Sequence, residues 1–335
     1  MKETFQVINS TLSAKKISDF IQQKYNLSKK TECKLFRAAM NHLYIVTDGE
    51  KKFAFRVYTF NWRTKREINE ELKLLIHLNT NSTSVSFPIA DNSSNLVQEL
   101  NAPEGKRFGV LFSYAKGSKV PNFSQEASFI IGKALAKVHK STENYTLNRI
   151  NYNSKTLLTE SLPRTKQFFQ KDSEEITFLE TLSNFLKIKF ENLKEQNMRN
   201  GAVHLDVWFD NMHIDENNEV TFFDFDFCGN SWLCLDISYF LFQLFSTHLN
   251  ENEYKIKADS FIKGYETEIE ITKEERELLP YACLAIMVYY ISIQCDRFDY
   301  WTNIFLNEHH LKRFVGNLKR WINFNNIEIE LKASC

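Results

Sequence analysis

The apolar pattern of this chain changes period once, near Tyr114, and that change constrains its fold more than any other feature. Before it, period-two runs rich in β-branched and aromatic residues fall at 33–36, 43–46 and 53–58, as expected of strands with one buried face. Thr47-Asp48-Gly49-Glu50 supplies a turn between the last two. Helical stripes flank them: Ile17, Phe20, Ile21 and Tyr25 within 14–25, and Ile68, Leu72, Leu75 and Ile76 within 64–78. Short strands are also expected at 95–100 and 108–114. After Tyr114 the period is mainly helical, in 124–140, in 176–193 and beyond Leu235. The expectation is an α+β chain of two lobes, a small one over 1–114 with an antiparallel sheet plus a helix, and a larger helical one over 115–335.

Composition agrees with two lobes. At 335 residues the chain exceeds one small core, and 43% apolar with 25% charged residues is the balance of an ordinary globular protein. Lys plus Arg and Asp plus Glu both number 42, so no global field draws the chain to nucleic acid or to an anionic membrane. The opening residues lack the apolar run of a secretory signal, so a cytoplasmic location is expected. Six scattered cysteines without a Cys-x-x-Cys pair read as free thiols. The apolar run 278–295 is broken by Pro280, Tyr289, Tyr290 and Gln294, and reads as a buried helix rather than a membrane span.

The chemistry concentrates in His204-Leu205-Asp206-Val207-Trp208-Phe209-Asp210-Asn211, followed after a hairpin by Asp224-Phe225-Asp226. Strands 212–214 and 220–223 flank the polar turn 215–219, and pairing 212 with 223 and 213 with 222 sets Asn211 opposite Asp224. Two oxygen donors then converge, which suits Mg²⁺, a hard cation that takes one or two protein ligands and leaves the rest to phosphates and water. Asp206 stands five residues before Asn211, placed to orient an acceptor hydroxyl and take its proton. Taken singly, such residues cap helices and make turns. Five fixed types at fixed spacing arise by accident on the order of once in ten thousand chains of this length.

This segment resembles the aminoglycoside phosphotransferase and homoserine kinase-like superfamily, whose signature is His-x-Asp, an Asn five residues after the Asp, and Asp-x-Asp after a hairpin. The resemblance implies a protein-kinase-like bilobal fold, with ATP or GTP and Mg²⁺ as cofactors and a small-molecule hydroxyl as acceptor. By position it makes Asp206 the base, Asn211 and Asp224 the metal ligands, Asp226 a weaker metal candidate, and His204 a structural residue of the loop. Gly132, Leu135, Ala136 and His139 match a family helix, Gly-x-x-Leu-Ala-x-x-His, as packing residues. The nearest subgroup resembles the one that includes bacterial stress-response kinases, on Phe55-Arg56-Val57-Tyr58, Glu70-Glu71 and Val288-Tyr289-Tyr290. Phe112-Ser113-Tyr114-Ala115 joins the lobes, and the resemblance has Ser113 and Ala115 present backbone groups to adenine.

Three positions depart from the family pattern. Leu205 stands where Gly usually follows the His, so the loop cannot rely on glycine conformations there. The turn Arg37-Ala38-Ala39-Met40-Asn41-His42 has no glycine to cradle phosphate. Arg56 stands at the phosphate-binding lysine of the third strand, and it differs from lysine in length and geometry. Glu71 lies on the apolar face of its helix between Ile68 and Leu75, where a carboxylate needs a partner, and Arg56 is the expected one.

Other features have ordinary readings. His77 and His139 read as packing or hydrogen-bonding residues, Asp236 as a helix N-cap, and the 29 phenylalanines as core. Asp296 and Asp299 are candidates for binding a cationic acceptor, and Arg297 beside them for a carboxylate. The function expected is an ATP-dependent phosphotransferase for a small hydroxylated molecule. A protein Ser/Thr kinase and a non-catalytic nucleotide-binding module remain as alternatives. No signal for oligomeric state is present.

Overall fold

The computed structural model describes residues 5–193, 197–301 and 304–329. Its first half is built on one antiparallel sheet. Helix α1 (Ala14–Tyr25) starts on Ser13, whose hydroxyl accepts the Lys16 N–H, and ends on Asn26 in the left-handed conformation, a common stop for a helix. Then come β1 (Glu32–Ala38), β2 (Asn41–Asp48), β3 (Lys51–Tyr58), α2 (Lys65–Thr80), β4 (Pro88–Ile89), β5 (Val97–Ala102) and β6 (Gly105–Ser113). The strand order is β1-β2-β3-β6-β4, with β5 also on β6. Strands are longer than the apolar runs that predict them, because ladder bonding continues into the polar ends next to each turn.

The two faces of this sheet have different partners. Tyr44, Val46, Phe55, Val57 and Leu111 pack under α1 through Ile17 and Ile21. Leu43, Ile45 and Ala54, on the other face, line a cleft. Helix α2 starts with a capping box in which Thr64 and Glu67 satisfy each other's backbone N–H groups, and this fixes the register that buries Glu71.

The second half contains α3 (Gln125–Thr142), a π-helical turn at Lys155–Thr159, α4 (Leu162–Phe168), α5 (Glu174–Glu191), β7 (Asn200–Val203), β8 (Met212–Ile214), β9 (Val220–Phe222), β10 (Gly229–Trp232), α6 (Cys234–Thr247), α7 (Glu251–Glu266), α8 (Lys273–Asp296) and α9 (Glu308–Phe324). Helices α3 and α7 approach backbone to backbone. A Cβ on Gly132 would collide with the Phe261 carbonyl, and one on Gly264 with the Phe129 carbonyl, so both positions need the smallest residue. Helix α8 is long and apolar enough to cross a membrane, but 72% of its apolar window is buried within the chain. It is the central helix of this half, as its interrupted apolar run predicts. Cys33, Cys228, Cys234, Cys283 and Cys295 are free thiols, and Cys335 lies outside the described residues.

The hairpin corrects the expected register by one residue. Met212 pairs with Phe222 and Ile214 with Val220, because the turn closes symmetrically over 215–219. The Asp215 carboxylate accepts the N–H groups of Asn217 and Glu219, each at 2.9 Å, and locks that turn. Asn211 therefore faces Phe223, whose N–H donates to the Asn211 carbonyl at 3.0 Å, and Asp224 follows one residue later.

Candidate active site

Strand β7 runs directly into His204-Leu205-Asp206, and the backbone of this loop is held from below. The N–H groups of His204 and Leu205 donate to the Asp236 carboxylate at 2.8 and 2.6 Å. The Tyr290 hydroxyl donates to the Leu205 carbonyl at 3.2 Å. Leu205 has φ +64°, the conformation for which the family pattern prefers glycine, and its side chain is fully buried. The strain of about 1 kcal/mol for a left-handed non-glycine residue is offset by that burial and by the two bonds to Asp236. Asp236 is not the N-cap expected from the sequence. Leu233 holds that position, and Asp236, fully buried, spends its carboxylate on the loop and on His139 Nε2 at 3.2 Å. His139 Nδ1 in turn lies 2.7 Å from the Tyr265 hydroxyl. The family-like helix containing Gly132 and His139 thus reaches the His204–Asp206 loop through Asp236.

His204 ties the two halves of the motif together. Its Nδ1 lies 3.2 Å from the Asp206 N–H, and its Nε2 lies 3.0 Å from the Phe223 carbonyl, to which it donates. Asp206 is gripped at both oxygens. Oδ1 accepts the Tyr239 hydroxyl at 2.8 Å and Oδ2 accepts Asn211 Nδ2 at 2.7 Å. Burial lifts its pKa to about 6; His204 and the Tyr239 hydrogen bond oppose that rise, and Asp224 adds to it. Asn211 Nδ2 also donates to the Asp206 carbonyl at 3.0 Å.

Asp224 also adopts φ +64°, and its half-exposed carboxylate lies 3.2 Å from Arg56 Nη2. Arg56 Nη1 lies 2.6 Å from Glu71, which also accepts the Tyr58 hydroxyl at 2.9 Å. The Arg56–Glu71 pair is thus the one that the apolar face of α2 predicts. Tyr58 and the second contact of Arg56, to Asp224, were not legible in the sequence. Arg149 stands behind the pair, 3.9 Å from Glu71.

Asp226, two residues on, is in a different state. It is buried, and its carboxylate accepts Trp62 Nε1 at 2.6 Å, Arg63 Nε at 3.0 Å and Asn41 Nδ2 at 3.1 Å. Burial works against its charge, but Arg63, Arg56 and Arg149 outweigh it and hold the pKa below the usual carboxylate range. Asp226 fastens the helical half to the sheet half, and this corrects its reading as a metal candidate. Arg297 is corrected likewise: it is buried, with Nη2 3.1 Å from both Thr59 Oγ1 and the Phe60 carbonyl. Asp296 and Asp299 are exposed and are not among the residues that line the cleft.

Arg56, Asp206, Asn211, Asp224 and Asp226 line one cleft of about 500 Å³ between sheet and helices. At its back, the Ser113 N–H donates to the Phe87 carbonyl at 2.9 Å and the Ala115 carbonyl lies 3.0 Å from His213 Nδ1, so both residues of the connecting segment are fixed by neighbours. At its mouth, Asp210 meets Lys119 at 2.8 Å and Arg37 at 3.4 Å. The far wall carries Tyr239, Gln243, Met287, Tyr290 and Gln294. Sequence reasoning missed this wall, although Tyr239 with Gln243 on α6, and Tyr290 with Gln294 on α8, are polar pairs at i, i+4 in otherwise apolar helices. Among the described residues no group of three or more His, Cys, Asp or Glu could hold a metal. The oxygen donors of Asn211 and Asp224 fit a hard divalent cation that draws its remaining ligands from phosphates and water.

Comparison with known proteins agrees with this geometry. The chain is 25% identical over 321 residues to an uncharacterized protein of Synechocystis sp., covering 95% of this chain and 88% of that one. It is 24% identical to a homoserine kinase of Polaromonas naphthalenivorans, over 72% and 73% of the two chains. The fold is shared with a microcompartment-associated aminopropanol kinase, at TM-score 0.76 and 18% identity over 94% of this chain and 99% of that one. It is also shared with the amicoumacin kinase hAmiN in complex with AMP-PNP, Ca²⁺ and Ami, at TM-score 0.74 and 19% identity over 92% and 94% of the two chains. Residues 32–270, most of the two lobes and the whole of the Asp206 to Asp236 constellation, match the model of the phosphotransferase enzyme family, and the chain belongs to that family.

Proposed function

We propose that this protein transfers the γ-phosphoryl group of ATP to a hydroxyl of a small molecule, with Asp206 as the base and Asn211 and Asp224 as ligands of Mg²⁺. The observation that carries this reading is the placement of Asp206. It lies deep in the cleft, held at both oxygens, with a pKa of about 6 that suits a general base near neutral pH. Bound ATP with Mg²⁺ supplies the phosphoryl group and neutralises its charge. Arg56, oriented by Glu71, lies against Asp224 and contributes a fork of donors to the phosphates. The linker supports adenine binding through the Ala115 N–H and the backbone of Ser113, between apolar walls that include Ile45 and Phe223. A purine base is common to ATP and GTP, and the linker chemistry suits either.

A small acceptor is favoured over a protein substrate because the cleft beside Asp206 is walled by side chains of α6 and α8. The fixed Arg56 and Asp224 and the ionisable Asp206 favour catalysis over a binding-only role. Thermal unfolding tests the reading. ATP with Mg²⁺ is expected to raise the melting temperature of the parent, as a ligand of the folded form must, by RT ln(1 + [L]/Kd) in stability. Asp224→Ala is expected to abolish most of the shift. A parent with no shift at millimolar ATP and Mg²⁺ overturns the proposal.

A further inference from the structure

Strand β1 does not enter its turn regularly. Leu35 pairs with Tyr44 and Arg37 with Leu43, so Phe36 is an extra residue between them, a bulge of the kind that re-aims side chains beside a site. Neighbours in a regular strand point to opposite faces, yet Phe36 and Arg37 both line the cleft. The turn that follows does not cradle phosphate with its backbone. None of residues 37–42 has a positive φ, so no αR–αL nest of N–H groups forms there, and the Ala39 N–H is spent on the Asn41 carbonyl at 3.2 Å. The turn is also pinned: Thr59 Oγ1 donates to the Met40 carbonyl at 2.7 Å, and Asn41 Nδ2 donates to Asp226 at 3.1 Å. Donors to a phosphate here must come from a side chain, and Arg37 is the permanent cation of 37–42.

Arg37 reaches across the cleft mouth. Asp210 Oδ1 lies 2.8 Å from Lys119 Nζ, and Oδ2 lies 3.4 Å from Arg37 Nη1. Two cations share one carboxylate, so the cluster carries a net positive charge. The Arg37 contact is the looser of the two, single and with the side chain 54% exposed. Among the described residues its guanidinium makes no other hydrogen bond or ion pair, which leaves most of its donors for a ligand. The cluster also lies on the path of a triphosphate. Lys119 follows the linker residue Ala115 by four positions and Asp210 directly precedes Asn211, so it joins the end proposed for adenine to the end proposed for the metal, and the phosphates of a bound nucleotide run between those ends.

We infer that Arg37 is a ligand of the nucleotide phosphates, giving from its side chain the donors that a glycine turn gives from its backbone, and that Asp210 competes with the phosphates for it. The inference deepens the proposed phosphotransferase reading and rests on it.

The test is a double-mutant cycle on Arg37 and Asp210, read as the Kd of ATP with Mg²⁺ by titration calorimetry. Arg37 is exposed, so Arg37→Gln keeps the fold, and it is expected to weaken ATP about tenfold, the loss of one charge-assisted contact. Asp210→Asn is expected to act with the opposite sign and to tighten ATP about threefold, because the guanidinium is released from an exposed ion pair. In the Arg37→Gln background that gain should be lost. A bridge that only clasped the two halves of the chain would be broken by either variant, so an Asp210→Asn chain that binds ATP no more tightly than the parent overturns the inference. A gain that persists without Arg37 also overturns it, since the field of Lys119 would then account for the effect. So does an Arg37→Gln chain that binds ATP as the parent does; if Asp224→Ala fails to bind in the same titration, the phosphotransferase reading survives that failure.

Discussion

The two ends of the cleft are built on different physics. The end proposed to hold the phosphates is a closed network of charge, in which Arg56, Arg63 and Arg149 meet Glu71, Asp224 and Asp226. The wall from α6 and α8 carries no charge of its own: Tyr239, Gln243, Met287, Tyr290 and Gln294 shape it with rings, amides and a thioether. Buried charges must be paired or they cost several kcal/mol, so the phosphate end has few permissible arrangements. A neutral wall can exchange residues of similar volume at small cost. One end is therefore fixed by its chemistry, and the other is free to set specificity. Asp206 and Asp226 condense the contrast into two carboxylates, one pushed up by burial and the other held down by three arginines.

Removing the proposed base, Asp206, is the strongest way to break the comparison. Asp206→Asn keeps a group of the same shape but cannot take a proton, and turnover is expected to fall by about 10³-fold. The stabilisation by ATP with Mg²⁺ should be retained, since the phosphate end is untouched. Loss of both would mean that the two ends are not separable. Arg56→Ala attacks the other end. It leaves Glu71 buried without its nearest cation, and unfolding in urea is expected to show a loss of about 3–5 kcal/mol. Arg56→Lys keeps the charge, and should recover most of the stability but not the full affinity for ATP, because lysine cannot span Glu71 and Asp224 with one fork. Equal stability of the alanine and parent chains would show that the network is not closed.

How far the sequence reveals each end follows from the same contrast. The charged end was legible because its residues lie close together in the chain, in His204 to Asp226, or on one helix face, as with Glu71 between Ile68 and Leu75, whose pairing with Arg56 is found. The α+β architecture was legible because the change from period two to a helical period is a local property of the chain. What was not legible depends on contacts across the chain. Asp236 looked like an N-cap because it begins an apolar run, yet its carboxylate is spent on loop N–H groups 31 and 32 residues away. Asp226 could not be told from a metal ligand without Trp62 and Arg63, which lie over 160 positions earlier. The hairpin register turned on the side chain of Asp215, which closes a five-residue turn. The wall from α6 and α8 was hidden most fully, since it joins two helices about fifty residues apart in the chain and its only local signal is the polar pairs Tyr239–Gln243 and Tyr290–Gln294 at i, i+4.

The smallest expected effect is also the finest probe of the boundary between the two ends. Tyr239 belongs to the acceptor wall, but its hydroxyl donates to Asp206 Oδ1 at 2.8 Å, and that bond favours the charged carboxylate. As the proposed base, Asp206 works only when deprotonated, so kcat/KM in the free enzyme should fall as the pH drops through about 6. The stability contribution has the matching sign: a carboxyl whose folded pKa is raised favours the folded state at low pH and loses that advantage as the pH rises through about 6. Tyr239→Phe removes a single hydrogen bond, worth about 1 kcal/mol, and keeps the ring that packs on Tyr290 with centroids 5.4 Å apart. The acidic limb of the profile should move to higher pH, while activity on the alkaline plateau changes little. A limb that stays in place would mean that burial alone sets the basicity of Asp206, and that the acceptor wall shapes the substrate without tuning the base.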